Sequence, residues 1–203
     1  PYDLMTFYDN HDMTRMSASE DGFVDAHNWL FTARGIPVVY YGSEIGFMAG
    51  AKEHEGNRNY FGTENIARAG DHRIRNSLAR IAKIRRGSPA LQRGLQVNLE
   101  FKGDRAAFLR VYERGGTNQT ALVLLNKGGT DAHFSIDRRL SPGTWRDAAG
   151  GEDFKVAEGG SPLEATVAAH GVRVLFFDGR NRDVDLVAEL ERSMQALRAG
   201  SAG

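Results

Sequence analysis

The chain contains no cysteine, which excludes disulfides and thiolate chemistry. It has no excess of either charge, with 26 Lys plus Arg against 26 Asp plus Glu. A net charge near zero supplies no electrostatic drive toward nucleic acid or an anionic membrane, so neither is expected as a partner. Long apolar runs are also missing. The longest, Ile36 to Tyr41, falls far short of the roughly 20 residues needed to cross a bilayer. Six histidines are present, but His72, His133 and His170 stand isolated, and no pair of them has metal-ligand spacing. No metal or cofactor site is therefore expected in this chain. Gly-rich turns such as Gly128-Gly129 lack the Lys-Ser/Thr that a phosphate loop requires. What remains is 203 residues with 41% hydrophobic side chains, enough for one large domain or two small ones around a real core.

The periodicity changes along the chain. Leu4 to Tyr8 reads as a short buried strand. Residues 22–34 carry Phe23, Ala26, Leu30 and Phe31 at helical spacing, and Gly35 stops the helix. Ile36 to Gly42 is β-branched and aromatic, with Pro37 near its start, and reads as a strand covered on both faces. Strand, helix and strand make a βαβ unit. Residues 43–71 read as a long loop, of the kind that is more often functional than idle. Helical spacing returns over 72–86 and ends at Gly87-Ser88-Pro89. Beyond Pro89 the period becomes 2. Leu95, Val97 and Leu99 alternate with polar residues, as do Ala132, Phe134 and Ile136, and Gly pairs punctuate the runs. That pattern predicts an antiparallel sandwich over 88–178. Val184, Val187, Leu190, Met194 and Leu197 mark one face of a C-terminal helix within 179–203.

Chemistry concentrates in two stretches. The first is Phe7-Tyr8-Asp9-Asn10-His11-Asp12, where an apolar strand delivers a polar cluster, with Arg15 behind it. The second is the loop after Ile36–Gly42, which ends His54-Glu55-Gly56-Asn57-Arg58. Asp9 and Glu44 read as supporting carboxylates, and Arg15 as a structural cation. Tyr60 and Phe61 read as packing the loop.

The first stretch resembles the strand-seven motif of the α-amylase family of glycoside hydrolases and transglycosylases. Gly35-Ile36-Pro37-Val38-Val39-Tyr40-Tyr41-Gly42-Ser43-Glu44 resembles that family's strand eight. Within the family, Asp9 to Met13 and Gly56-Asn57-Arg58 are most similar to the cyclodextrin glucanotransferase branch. That branch usually carries Asp four residues before the Arg, where this chain has His54. The resemblance implies that residues 1–87 are the last two strands and helices of a (β/α)8 TIM barrel. An antiparallel β-sandwich over 88–178 and a terminal helix over 179–203 would follow, an α/β plus all-β chain.

It also implies retaining chemistry on α-1,4-glucosidic bonds of starch, maltodextrin or cyclodextrin, by a nucleophilic carboxylate and a carboxylic acid. Asp12 corresponds to neither. It resembles the family's third carboxylate, which grips sugar hydroxyls, and His11 the transition-state-stabilising histidine. Asn10, Asn57, Arg58 and His54 would contact the substrate. The nucleophile and acid lie upstream in this family, so the expected partners are an α-glucan and a polypeptide carrying the N-terminal barrel portion. Calcium, common in relatives, would belong to that portion. The resemblance favours a secreted or periplasmic location. The competing expectation is a relative that has lost catalysis and serves as a carbohydrate-binding or transporter-associated protein. His11 and Asp12 argue against it.

Overall fold

A computed structural model describes residues 4–159 and 161–200. The chain opens with β1 (Met5–Thr6), α1 (Glu20–Thr32) and β2 (Ile36–Pro37). β1 and β2 pair in parallel, and their ladder extends through Ile36 N–H to Leu4 O and Val38 N–H to Thr6 O, both 2.9 Å. α1 begins where Ser19 Oγ accepts from Gly22 N–H, with Glu20 and Asp21 in the first turn complementing the helix dipole. Gly35 is required where α1 turns into β2. Its φ is +104°, and a Cβ there would meet Thr6 Cγ2 at 2.4 Å.

α2 (Thr63–Ala69), α3 (Arg73–Arg86) and α4 (Pro89–Arg93) follow. The expected loop over 43–71 therefore needs correction. It holds a 3-10 turn at Ser43–Ile45 as well as α2. α2 escaped detection because it buries none of its residues, so it carries no apolar stripe to be read. Eight strands come next: β3 (Leu95–Lys102), β4 (Arg105–Arg114), β5 (Thr117–Asn126), β6 (Ala132–Ile136), β7 (Gly143–Asp147), β8 (Phe154–Val156), β9 (Leu163–Val167) and β10 (Gly171–Phe177). Six form one sheet in the order β3-β4-β5-β10-β7-β8, and β6 pairs with β9. Every pairing among these eight strands is antiparallel.

The large sheet is covered on both faces. Leu109, Leu122, Leu124 and Leu175 meet Phe134, Ile136 and Ala165 of the β6–β9 pair around Trp145. The alternate residues Phe108, Ala121, Val123 and Val174 meet Ile81 of α3 and Ala90 and Leu91 of α4. Two-sided burial explains why Ala121–Leu125 is a continuous apolar run although its strand is antiparallel. α5 (Val184–Gly200) closes the chain. Its buried face differs from expectation. Leu186 enters the sandwich core and Leu190 packs beside it, while Val184 is 80% exposed and Met194 is exposed too. The start of the helix sets this rotation. Asp183 Oδ1 accepts from Leu186 N–H at 2.8 Å, and Glu189 pairs with Arg139 at 2.7 Å. The side chain of Leu197 lies outside the described residues.

Two buried arginines serve the end of α1, and one of them, Arg110, ties the β/α unit to the sandwich. α1 has no basic residue in its last turn. Its C-terminal carbonyls are met instead from afar. Arg85 of α3 donates Nη1–H to Phe31 O (3.0 Å) and Ala33 O (3.2 Å), and Nη2–H to Gly35 O (2.6 Å). Arg110 of β4 donates to Thr32 O at 2.7 Å and to Gly94 O at 3.0 Å. Helix ends leave such carbonyls without partners, and a cation there also complements the dipole. On another flank His170, in the turn before β10, bonds Asp25 of α1 at 2.8 Å.

His27 lies on the inner face of α1 and is wholly buried, sharing a 2.7 Å hydrogen bond with the Tyr8 hydroxyl. Burial pushes its pKa down to about 4. Its Nδ1 has no partner among the described residues, so a protonated ring would carry a proton with nowhere to donate. Between about pH 6.5 and 4 the unfolded chain then binds a proton here that the folded chain does not. Stability is therefore expected to fall as pH drops through that window, by roughly 2–4 kcal/mol from this residue. His170 has the opposite sign. Its bond to Asp25 raises its pKa, so its contribution is present below about pH 6.5 and is lost as pH rises. The difference between urea-unfolding profiles of the parent and His27→Gln against pH isolates the His27 limb. Identical acid limbs would refute the assignment.

Candidate functional site

The end of β1 leads into a turn whose frame is buried and whose tip is exposed. Asp9 is buried and acts as the frame, its Oδ1 accepting from Met16 N–H (2.7 Å) and its Oδ2 from the Ser43 hydroxyl (3.1 Å). Asn10 Oδ1 accepts from Asp12 N–H at 2.8 Å, a local turn that lifts His11 and Asp12 toward solvent. His11 Nε2 lies 3.0 Å from Asp12 Oδ2. Arg58 Nη2 reaches the other oxygen, Asp12 Oδ1, at 2.9 Å, while its Nε–H donates to His11 O at 3.1 Å. The Asp12 carboxylate thus stands between an imidazole and a guanidinium. All three side chains are more than half exposed, so the pairings contribute little to stability. Their significance is geometric.

The loop carrying Arg58 is clamped onto this turn by Asn57. The Asn57 side chain donates to His11 O (2.7 Å) and Met13 O (3.1 Å), and accepts from His54 N–H (3.2 Å). Its backbone O accepts from Arg15 Nη2 (3.0 Å) and from the Tyr40 hydroxyl (2.8 Å). Arg15 is itself buried, bonds Tyr41 O at 2.9 Å and lies 4.8 Å from the ring centroids of both Tyr40 and Tyr41. The Tyr41 hydroxyl donates to Asn59 O at 2.7 Å.

Five of the six residues singled out from sequence, Asn10, His11, Asp12, Asn57 and Arg58, thus converge through side-chain contacts. His54 joins through its main chain, with φ at +67°, and its ring is exposed. Asn57 requires correction. It is wholly buried with both amide atoms committed, so it positions the turn and does not face a ligand. Asn10 spends its side-chain oxygen on the turn. Phe61 packs on Phe47 at 5.2 Å as expected of a loop anchor, but Tyr60 projects into solvent. Sequence reasoning missed Ser43 as the partner of Asp9, and Tyr40 and Tyr41 as locks of the Arg58 loop. Their apolar surroundings in sequence read only as strand. Among the described residues no three His, Asp or Glu side chains are grouped to hold a metal ion. None of the helices there is long and apolar enough to cross a membrane.

Fold and site together define a class: a parallel β/α unit that presents an Asn-His-Asp turn, joined to an antiparallel β domain. No family model matches the chain. Comparison with individual proteins is more informative. The chain is 30% identical over 183 residues to a cyclomaltodextrin glucanotransferase of Bacillus sp. (strain 17-1), covering 85% of this chain and 24% of that protein. It is 29% identical over 182 residues to the cyclomaltodextrin glucanotransferase of Thermoanaerobacterium thermosulfurigenes, with the same coverage. An α-amylase of Niallia circulans is 28% identical over 180 residues. Among solved structures, the Anoxybacillus α-amylase superposes with a TM-score of 0.72 at 23% identity, covering 88% of this chain and 39% of that one. The three-domain cyclomaltodextrin glucanotransferase CldA superposes with a TM-score of 0.67 at 24% identity, covering 88% and 37%. The chain is similar in sequence to cyclomaltodextrin glucanotransferases and to an α-amylase. It spans about a quarter of the length of those glucanotransferases.

Proposed function

We propose that this chain supplies the sugar-gripping part of a retaining enzyme that cleaves or transfers α-1,4-glucosidic bonds. The observation that carries the reading is the Asp12 carboxylate, held between His11 and Arg58 at the end of a parallel strand and open to solvent. A carboxylate accepts from two vicinal sugar hydroxyls, and imidazole and guanidinium donors complement it. Such bonds strengthen as oxocarbenium character develops, and so lower the barrier.

In this reading β1, β2 and their helices are the last part of a (β/α)8 barrel, with the site at the strand ends. A two-stranded sheet does not close, and Leu4, Met5, Phe7 and Ile36 leave apolar surface exposed beside it. A polypeptide bearing the remaining strands, with the nucleophile and the acid, would cover that surface. Ligand binding tests the reading on this chain alone. Titration with maltoheptaose, followed by NMR of the labelled histidine rings, is expected to shift His11 saturably in the parent and not in Asp12→Asn. A His11 signal indifferent to maltoheptaose would refute it.

A further inference from the structure

We infer that Arg15 is a positioning residue for the Asn-His-Asp turn: it fixes Arg58 against Asp12 by pinning the peptide that joins Asn57 to Arg58. Arg15 is buried, at 2% exposure. A buried cation is costly unless it is paired or hydrogen-bonded. Among the described residues its side chain is met by carbonyls and rings, not by a carboxylate. It donates to Tyr41 O at 2.9 Å and Asn57 O at 3.0 Å, and lies 4.8 Å from the ring centroids of Tyr40 and Tyr41 and 5.3 Å from that of Phe47. An apolar side chain would fill the same space without burying a charge. What the guanidinium adds is a planar fork that joins two carbonyls.

Three donors converge on the Asn57 carbonyl oxygen: Arg15 Nη2 at 3.0 Å, the Tyr40 hydroxyl at 2.8 Å and the Tyr41 hydroxyl at 3.2 Å. That oxygen shares one rigid plane with the Arg58 N–H, because the peptide bond does not rotate. Holding it with three donors therefore fixes where the Arg58 Cα stands. The two residues flanking this peptide also share an acceptor. The Asn57 amide donates to His11 O at 2.7 Å and Arg58 Nε–H at 3.1 Å. The Arg58 fork is thereby aimed, and its Nη2 meets Asp12 Oδ1 at 2.9 Å. Arg15 ties the turn itself to the loop at a second point, through its own N–H to Ala51 O at 2.9 Å. Arg58 is half exposed, at 51%, and a long exposed side chain loses rotamer freedom when it is held to a ligand. Positioning it in advance lowers that cost. The value of this for an α-glucan rests on the functional reading above; the positioning itself rests on the bonds.

The Arg58 Nε–H signal in NMR tests the inference. The parent is expected to show it as a distinct, slowly exchanging resonance, identified by its disappearance in Arg58→Lys. In Arg15→Lys one ammonium replaces the two-carbonyl fork. The signal should then move to the position of solvent-exposed arginines and exchange about tenfold faster. Arg85→Met, which is destabilised elsewhere, should leave it in place, so that a shift reports position and not global stability. Maltoheptaose affinity, read from the His11 ring, should weaken about fivefold or more in Arg15→Lys, the worth of one buried hydrogen bond. Tyr40→Phe removes one of the three donors and should move the signal the same way by less, and it provides the test if Arg15→Lys does not fold. An Arg58 signal unmoved in the folded variants overturns the inference. So does an equal displacement in Arg85→Met, or a displaced signal with undiminished affinity. A parent His11 ring indifferent to maltoheptaose ends the functional reading, whereas the Arg58 signal decides the positioning role by itself.

Discussion

Replacing Arg85 with methionine is expected to cost roughly 3–4 kcal/mol of unfolding free energy. Methionine keeps the apolar stem of the side chain but removes every donor. Phe31 O, Ala33 O and Gly35 O then lose the guanidinium that joins them, at a helix end where local sequence offers no basic residue. Buried carbonyls that lose their partners incur the full cost of having left water. Lysine should restore only part of the loss, because a single ammonium on a flexible stem does not span three carbonyls as a planar fork does. The neighbouring Arg86 is exposed, and Arg86→Met should stay within about 0.5 kcal/mol of the parent. Urea unfolding of the three variants checks the series. Equal stabilities for Arg85→Met and Arg86→Met would refute the capping role.

Replacing Asp12 with asparagine is the second large effect. When the chain is joined to the strands that would carry nucleophile and acid, kcat/KM for maltoheptaose is expected to fall by roughly 10²–10³, as when a single transition-state hydrogen-bond partner is removed. If Asp12 has the proposed role, the fall should lie mainly in kcat, because the bonds it would accept from ring hydroxyls strengthen as positive charge develops on the sugar. Thermal unfolding should scarcely change, since Asp12 is exposed and its two ion pairs are solvated. A variant of unchanged kcat, or one that is inactive only because it is unfolded, would remove Asp12 from the proposed machinery.

Much of this arrangement was legible in residue patterns, and the failures are instructive. The strand-to-turn passage Phe7–Asp12 and the loop ending Asn57-Arg58 were each recognisable, and the structure brings them together across 46 positions of sequence, Arg58 to Asp12. Their division of labour was not legible. Asn57 and Arg58 are adjacent and both polar, yet one is wholly buried as a clamp and the other points at a carboxylate. α2 was unreadable because an exposed helix has no reason to carry a stripe. On α5, Val184 and Leu186 are both aliphatic, and only the capping bond from Asp183 and the Arg139–Glu189 pair rotate Leu186 inward.

Local chemistry was enough, without coordinates, to separate a β/α segment from an antiparallel one and to single out the Asn-His-Asp turn. Periodicity, glycine stops and short motifs act through neighbours in sequence, and such neighbours are visible in a string of letters. The tertiary structure alone decided which arginine serves which carbonyl, which amide is spent on a clamp, and that Arg15 reaches the Asn57 carbonyl. Each of those is a contact between residues tens of positions apart, chosen by how whole elements pack, and no single segment encodes it.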